Sequence, residues 1–223
     1  NTILPNIRER LIPLLKDYLW DYIPYARPGI PLAKLIQSSL NKKKSDVLIL
    51  GNHGLIVAGN SIKETELLQK NIIDKLKLKR REFSFSKFNE LDKLAKKIKG
   101  AKLPSNNIIN SLAIDPWSFK IAQRNPAYPD HVVFCGKKPL IIDYKNIEDI
   151  NKLKELSYII IPKIGVLILT ENSFVLEAML EAQAEIFLRL NPSSKIKLLS
   201  NNQCEELISW EEEKYRKKLL ENK

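Results

Sequence analysis

The chain has 223 residues, enough for one large or two small domains, and 44% of them are hydrophobic, so a substantial core can form. The net charge of +11 is carried mostly by scattered lysines. Its basic runs at 42–44, 79–81 and 96–97 lack the interleaved aromatic residues of a stacking platform, which argues against nucleic-acid binding. No apolar run approaches the roughly 20 residues of a membrane helix, and no signal-peptide pattern opens the chain. Cys135 and Cys204 lie far apart and match no zinc or redox spacing, so a reduced, cytoplasmic setting is expected.

Residues 6–20 place Ile7, Leu11, Leu14, Leu15 and Tyr18 on one helical face, with Pro13 expected to kink or restart the helix. Residues 22–25 (Tyr-Ile-Pro-Tyr) read as extended. A turn at Arg27-Pro28-Gly29 follows, and Pro31 opens a helix running to residue 40. Residues 47–50 and 55–58 are continuous apolar runs of the kind found in buried strands. Between them Gly51-Asn52-His53-Gly54 sets an imidazole on a tight turn flanked by glycines. Ser61, with Glu64 three residues on, has the spacing of a capping box and opens a helix from 62 to about 80. A second amphipathic helix is expected over 86–99, with Phe88, Leu91, Leu94, Ala95 and Ile98 as its apolar stripe.

The stretch 100–105 reads as a boundary between a unit at 1–102 and a unit at 103–223. Residues 106–129 carry two short helical patterns interrupted by Pro116, Pro126 and Pro129. Strands are then predicted at 131–135, 140–143, 158–161 and 166–169, with helices over 146–156, 174–190 and 200–220. Residues 46–58 are echoed by 157–169: Gly54 aligns with Gly165, and each copy leads through a serine, Ser61 or Ser173, into a long helix. The repeat predicts a three-layer α/β/α arrangement with a mostly antiparallel central sheet, built from two related α/β units.

His53 is one of only two histidines. A neutral imidazole on such a turn suits metal ligation, although a His on a strand turn is often only a hydrogen-bonded structural residue. In the second copy its position is Ile164, which cannot ligate, so any chemistry belongs to the first copy. His131 reads as a structural hydrogen-bonder, with a role in a second site as the alternative.

Residues 22–33 followed by Leu50-Gly51-Asn52-His53-Gly54-Leu55, Gly59-Asn60-Ser61 and Glu64 resemble the class II aldolase/adducin family in order and spacing. The likeness continues more loosely through Pro129-Asp130-His131-Val132 and the stretch 210–216. The resemblance implies a divalent metal, usually zinc, held by three histidines, of which His53 is the third and Gly51, Asn52 and Gly54 shape the turn. It implies a lyase acting on a small-molecule sugar or sugar phosphate, a phosphorylated ketose in the usual case, through an enediolate. It also implies a homo-oligomer, a tetramer, with sites at subunit borders, where Trp210 and Tyr215 offer aromatic anchors. The family's other two metal histidines come from a His-x-His that this chain lacks, and Asn1 opens the chain in place of Met; a processed or truncated chain, a fragment of a longer protein and a non-catalytic relative are the readings left open. The readings left open are that lyase, an adducin-like binding or scaffold protein without the chemistry, and another metal-dependent sugar reaction, dehydration or epimerisation, on the same fold.

Overall fold

A computed structural model describes residues 2–147, 156–171 and 173–221. The chain folds as two compact units. The first runs to Lys79 and takes back the short segments Ala127–Pro129 and Ser193–Leu199; the second comprises Arg80–Pro126, Asp130–Pro192 and the chain from Ser200. The change of unit thus falls at 79/80 and not at 100–105. The reason is packing: Leu91, Ala95 and Ile98 are buried in one cluster with Ile159, Ile161 and Leu167 of the second unit.

In the first unit, helix α1 (Ile7–Leu11) is much shorter than the apolar periodicity predicts. Pro13 has no N–H to donate, and beyond it the N–H groups of Leu14 and Leu15 both reach the Leu11 carbonyl, at 3.1 and 2.9 Å, so the chain proceeds as turns. Most of the apolar face survives the break: Ile7, Leu11 and Leu15 are buried with Trp20, Val47, Ile49 and Ile72, and Tyr18 packs against them, but Leu14, expected on that face, is exposed because the helix has ended before it. Strand β1 (Trp20–Ile23) crosses through helix α2 (Ile30–Lys42) to strand β2 (Val47–Leu50), which it pairs in parallel. Strand β3 (Gly54–Val57) returns antiparallel, with Leu50 opposite Gly54. Alternation divides β2 between two faces. Val47 and Ile49 join the cluster of α1 and of helix α3 (Ile62–Leu76), while Leu48 and Leu50 lie with Ile23 under Leu32 and Ile36 of α2. Ser61 caps α3 by accepting from the Glu64 N–H at 3.2 Å, and the Glu64 carboxylate accepts from the Asn60 N–H at 3.0 Å.

The second unit begins with helix α4 (Phe88–Ala95), then a 3-10 turn at Asn107–Asn110 and the short helices α5 (Ser111–Ile114) and α6 (Pro116–Ala122). Residues 131–135, expected as a strand, lie in helix α7 (Pro129–Cys135). Pro129 at its first position favours a helix start, and a short apolar run is ambiguous between the two periods. Strand β4 (Leu140–Ile141) pairs in parallel with strand β5 (Tyr158–Ile161), and strand β6 (Gly165–Ile168) returns antiparallel with Ile161 opposite Gly165. Helix α8 (Phe174–Arg189) follows. The expected helix over 200–220 is broken into α9 (Asn201–Ile208) and α10 (Glu211–Glu221). Of the helix expected over 146–156, residues 148–155 lie outside the described residues.

The predicted repeat is present as two three-stranded sheets of order β1-β2-β3 and β4-β5-β6. Each has one parallel and one antiparallel pairing, so neither is the mostly antiparallel sheet expected from sequence. The reason lies in the strand that precedes each hairpin: β1, joined to β2 through a helical crossover, enters parallel to it, which apolar runs alone do not encode.

Candidate functional site

The turn that carries His53 is built from three residues between β2 and β3. Asn52 adopts φ 55°, the left-handed region that asparagine tolerates better than most residues. The His53 N–H closes the turn on the Leu50 carbonyl at 3.2 Å, and the Asn52 N–H donates to the Thr2 carbonyl at 3.1 Å. Gly51 is required by a close approach: a Cβ there would lie 2.7 Å from the Tyr22 hydroxyl and 3.0 Å from the Tyr25 backbone nitrogen. Gly54, in contrast, has open space where its Cβ would be.

Asn52 is buried, and its side-chain Nδ2 donates to the Ala127 carbonyl at 2.8 Å and to the Lys197 carbonyl at 3.0 Å. His53 is half-buried, and its ring stacks on that of Tyr25, with centroids 5.9 Å apart and planes 20° apart. The structure therefore brings together Gly51, Asn52, His53 and, from the stretch after β1, Tyr22 and Tyr25. The stretch 22–25 carried part of the family likeness, but nothing local in the sequence marks Tyr25 as the partner of His53. Still less could the sequence reveal Ala127 and Lys197, whose contributions are backbone carbonyls.

His131 belongs to the second unit. It lies in α7 with 4% of its surface exposed, and burial lowers its pKa to about 4, partly offset by neighbouring Asp130. A side chain so enclosed has no open face for a second site. Among the described residues, no three His, Cys, Asp or Glu side chains converge as a metal-holding group. The residues present thus offer one imidazole on a firm turn and do not fit a three-histidine zinc site by themselves.

The second unit holds a cleft of about 770 Å³ at the end of β6 and the start of α8, with Phe134, Val175, Leu176 and Glu177 among its lining residues. Burial works to raise the pKa of Glu177 in its wall, but hydrogen bonds from the Ser105 N–H at 2.6 Å and the Ser173 hydroxyl at 2.5 Å outweigh it and hold the carboxyl below its usual range. Sequence reading did not find this cleft, because Ser105 and Glu177 meet only through tertiary folding.

Residues 3–69 match the sequence profile of the Class II Aldolase and Adducin N-terminal domain. That stretch holds α1 through most of α3 and the whole His53 turn, and the resemblance read from its residues is borne out there. No curated protein and no solved structure matches the chain. No helix among the described residues is long and apolar enough to cross a membrane.

Proposed function

From the class II aldolase/adducin match of the first unit, we propose that this unit carries the turn of an aldolase-type carbohydrate lyase site, with a phosphorylated ketose as substrate class and His53 as the functional side chain. One observation supports this above the rest. Both hairpins of the molecule make the same turn, yet only the copy bearing histidine is fastened by a buried asparagine to two distant carbonyls. Effort of that kind is not needed to turn the chain. One imidazole does not make a three-histidine zinc site, so a divalent metal would need ligands beyond the described residues. A homo-oligomer with sites at subunit borders is the assembly consistent with this reading.

An adducin-like binding role, without the chemistry, is the second reading that the family match leaves. The two are separated by zinc content and retro-aldol cleavage of ketose 1-phosphates, measured on the intact protein and on His53→Ala. The lyase reading expects both to be lost in the variant, while its unfolding stability falls by no more than about 1 kcal/mol, since His53 is only half-buried. Full metal content and full activity in His53→Ala would overturn it. No cleavage and no zinc in the parent protein would leave the binding role.

A further inference from the structure

The two hairpins form an internal control for the His53 turn. Asn52 and Lys163 occupy the same place, at φ 55° and 64°. Each donates its N–H to the carbonyl of a segment outside the sheet, Thr2 at 3.1 Å and Ala113 at 2.9 Å. Each is followed by a residue whose N–H closes the turn, His53 on Leu50 and Ile164 on Ile161. The second copy does this with an exposed lysine. A buried carboxamide is therefore unnecessary for the turn itself.

What the carboxamide adds is a clamp. Its two N–H hydrogens suit two acceptors, and both are backbone carbonyls, of Ala127 and Lys197, 75 and 145 residues away in sequence. The clamping segments are themselves tied to the start of the chain: the Tyr128 hydroxyl meets Thr2 Oγ1 at 3.0 Å, and the Lys197 N–H donates to the Ile3 carbonyl at 2.7 Å. All three segments lie within the first unit, and two of them lie beyond residue 69, where the family match ends.

We infer that Asn52 is a positioning residue for His53, and that the returning segments 127–129 and 193–199 form part of the frame that aims the imidazole against Tyr25. The inference rests on His53 being the functional side chain of the turn, but its test requires neither metal nor substrate. With only two histidines in the chain, the ring protons of His53 and His131 are resolved and assigned by NMR using His53→Gln. Asn52→Gly keeps the left-handed backbone and deletes the clamp; Asn52→Asp keeps the size and deletes the donor.

The expected result is a folded variant in which the His53 ring protons move downfield as stacking on Tyr25 is lost, while those of His131 stay. Unchanged His53 signals in a variant of reduced stability would overturn the inference and leave Asn52 a purely structural residue. Should both variants fail to fold, the parent protein decides: the Asn52 side-chain amide protons are slow to exchange if the clamp exists, and exchange at the rate of exposed amides if it does not. Zinc added to the parent protein is scored separately. Absence of uptake there counts against the lyase reading and leaves the positioning result standing.

Discussion

His131 is nearly enclosed in α7, and burial moves its pKa from 6.5 to about 4. The unfolded chain binds a proton at that histidine near pH 6.5, whereas the folded chain resists it until about 4. Between those values the unfolded state holds more protons, so stability rises with pH and is lost as pH falls. The full effect is on the order of 3 kcal/mol at 1.36 kcal/mol per pH unit. His131→Gln is expected to flatten the stability profile between pH 6.5 and 4, as read by denaturant midpoints across that range. A variant with the parental slope there would show that other groups cause it. Glu177 and Asp21, both held below the usual carboxylate range, add their own losses further into acid.

At the scale of elements, the second hairpin depends on Gly165 for room. A Cβ there would lie 2.7 Å from Asn110 Oδ1 and 2.7 Å from a methyl carbon of Leu91. Asn110 cannot simply give way, because that same oxygen accepts the Val166 N–H at 2.9 Å. Gly165→Ala is expected to destabilise the protein by about 1–3 kcal/mol, the usual cost of overpacking, measured as a lower midpoint in urea at unchanged slope. Ile164 beside it is only half-buried against the Leu91 cluster, so its truncation should cost less than the 2–5 kcal/mol typical of a sealed isoleucine. Helix α9 carries a full capping box: Ser200 Oγ accepts from the Gln203 N–H, and Gln203 Oε1 accepts from the Ser200 N–H.

At the scale of the whole chain, each unit is closed by contacts between residues far apart in sequence. In the second unit the closure is Arg81. Its N–H donates to the Leu188 carbonyl at 2.9 Å, and its guanidinium reaches the carbonyls of Phe187, at 3.2 Å, and Leu190. The same group pairs with Asp115 at 2.6 Å, and Asp115 also caps α6 through the Ser118 N–H at 2.8 Å. Removing the side chain takes the cation from the part-buried Asp115 carboxylate and this donor from the Leu190 carbonyl, while the Phe187 carbonyl keeps the Leu190 N–H and Asp115 keeps the Ser118 N–H. Arg81→Ala is therefore expected to cost about 1.5–3 kcal/mol, the range for hydrogen bonds to charged groups. Arg81→Lys should recover only part of it, because an ammonium cannot reproduce the planar fork. Equal stability of the lysine and arginine forms would show that charge alone matters.

The sequence by itself determined the two hairpins, their shared turn, the capped helix after the first and the aldolase/adducin likeness carried by residues 22–33 and 50–64. These depend on local signals: apolar runs, glycines at fixed offsets, and a serine three residues before its glutamate. It misplaced what depends on competition between distant partners. Residues 131–135 became a helix because a short apolar run fits either period. The strand directions came out mixed because each hairpin is preceded by a strand that pairs in parallel, and in the first unit that direction is set by the helical crossover from β1 to β2. The unit boundary moved because α4 buries its stripe on β5 and β6. The same holds for the candidate site. His53 and its glycines were legible in one turn of chain, but the stacking of Tyr25 and the clamp from Asn52 to Ala127 and Lys197 arise from groups that only the folded backbone brings within bonding distance.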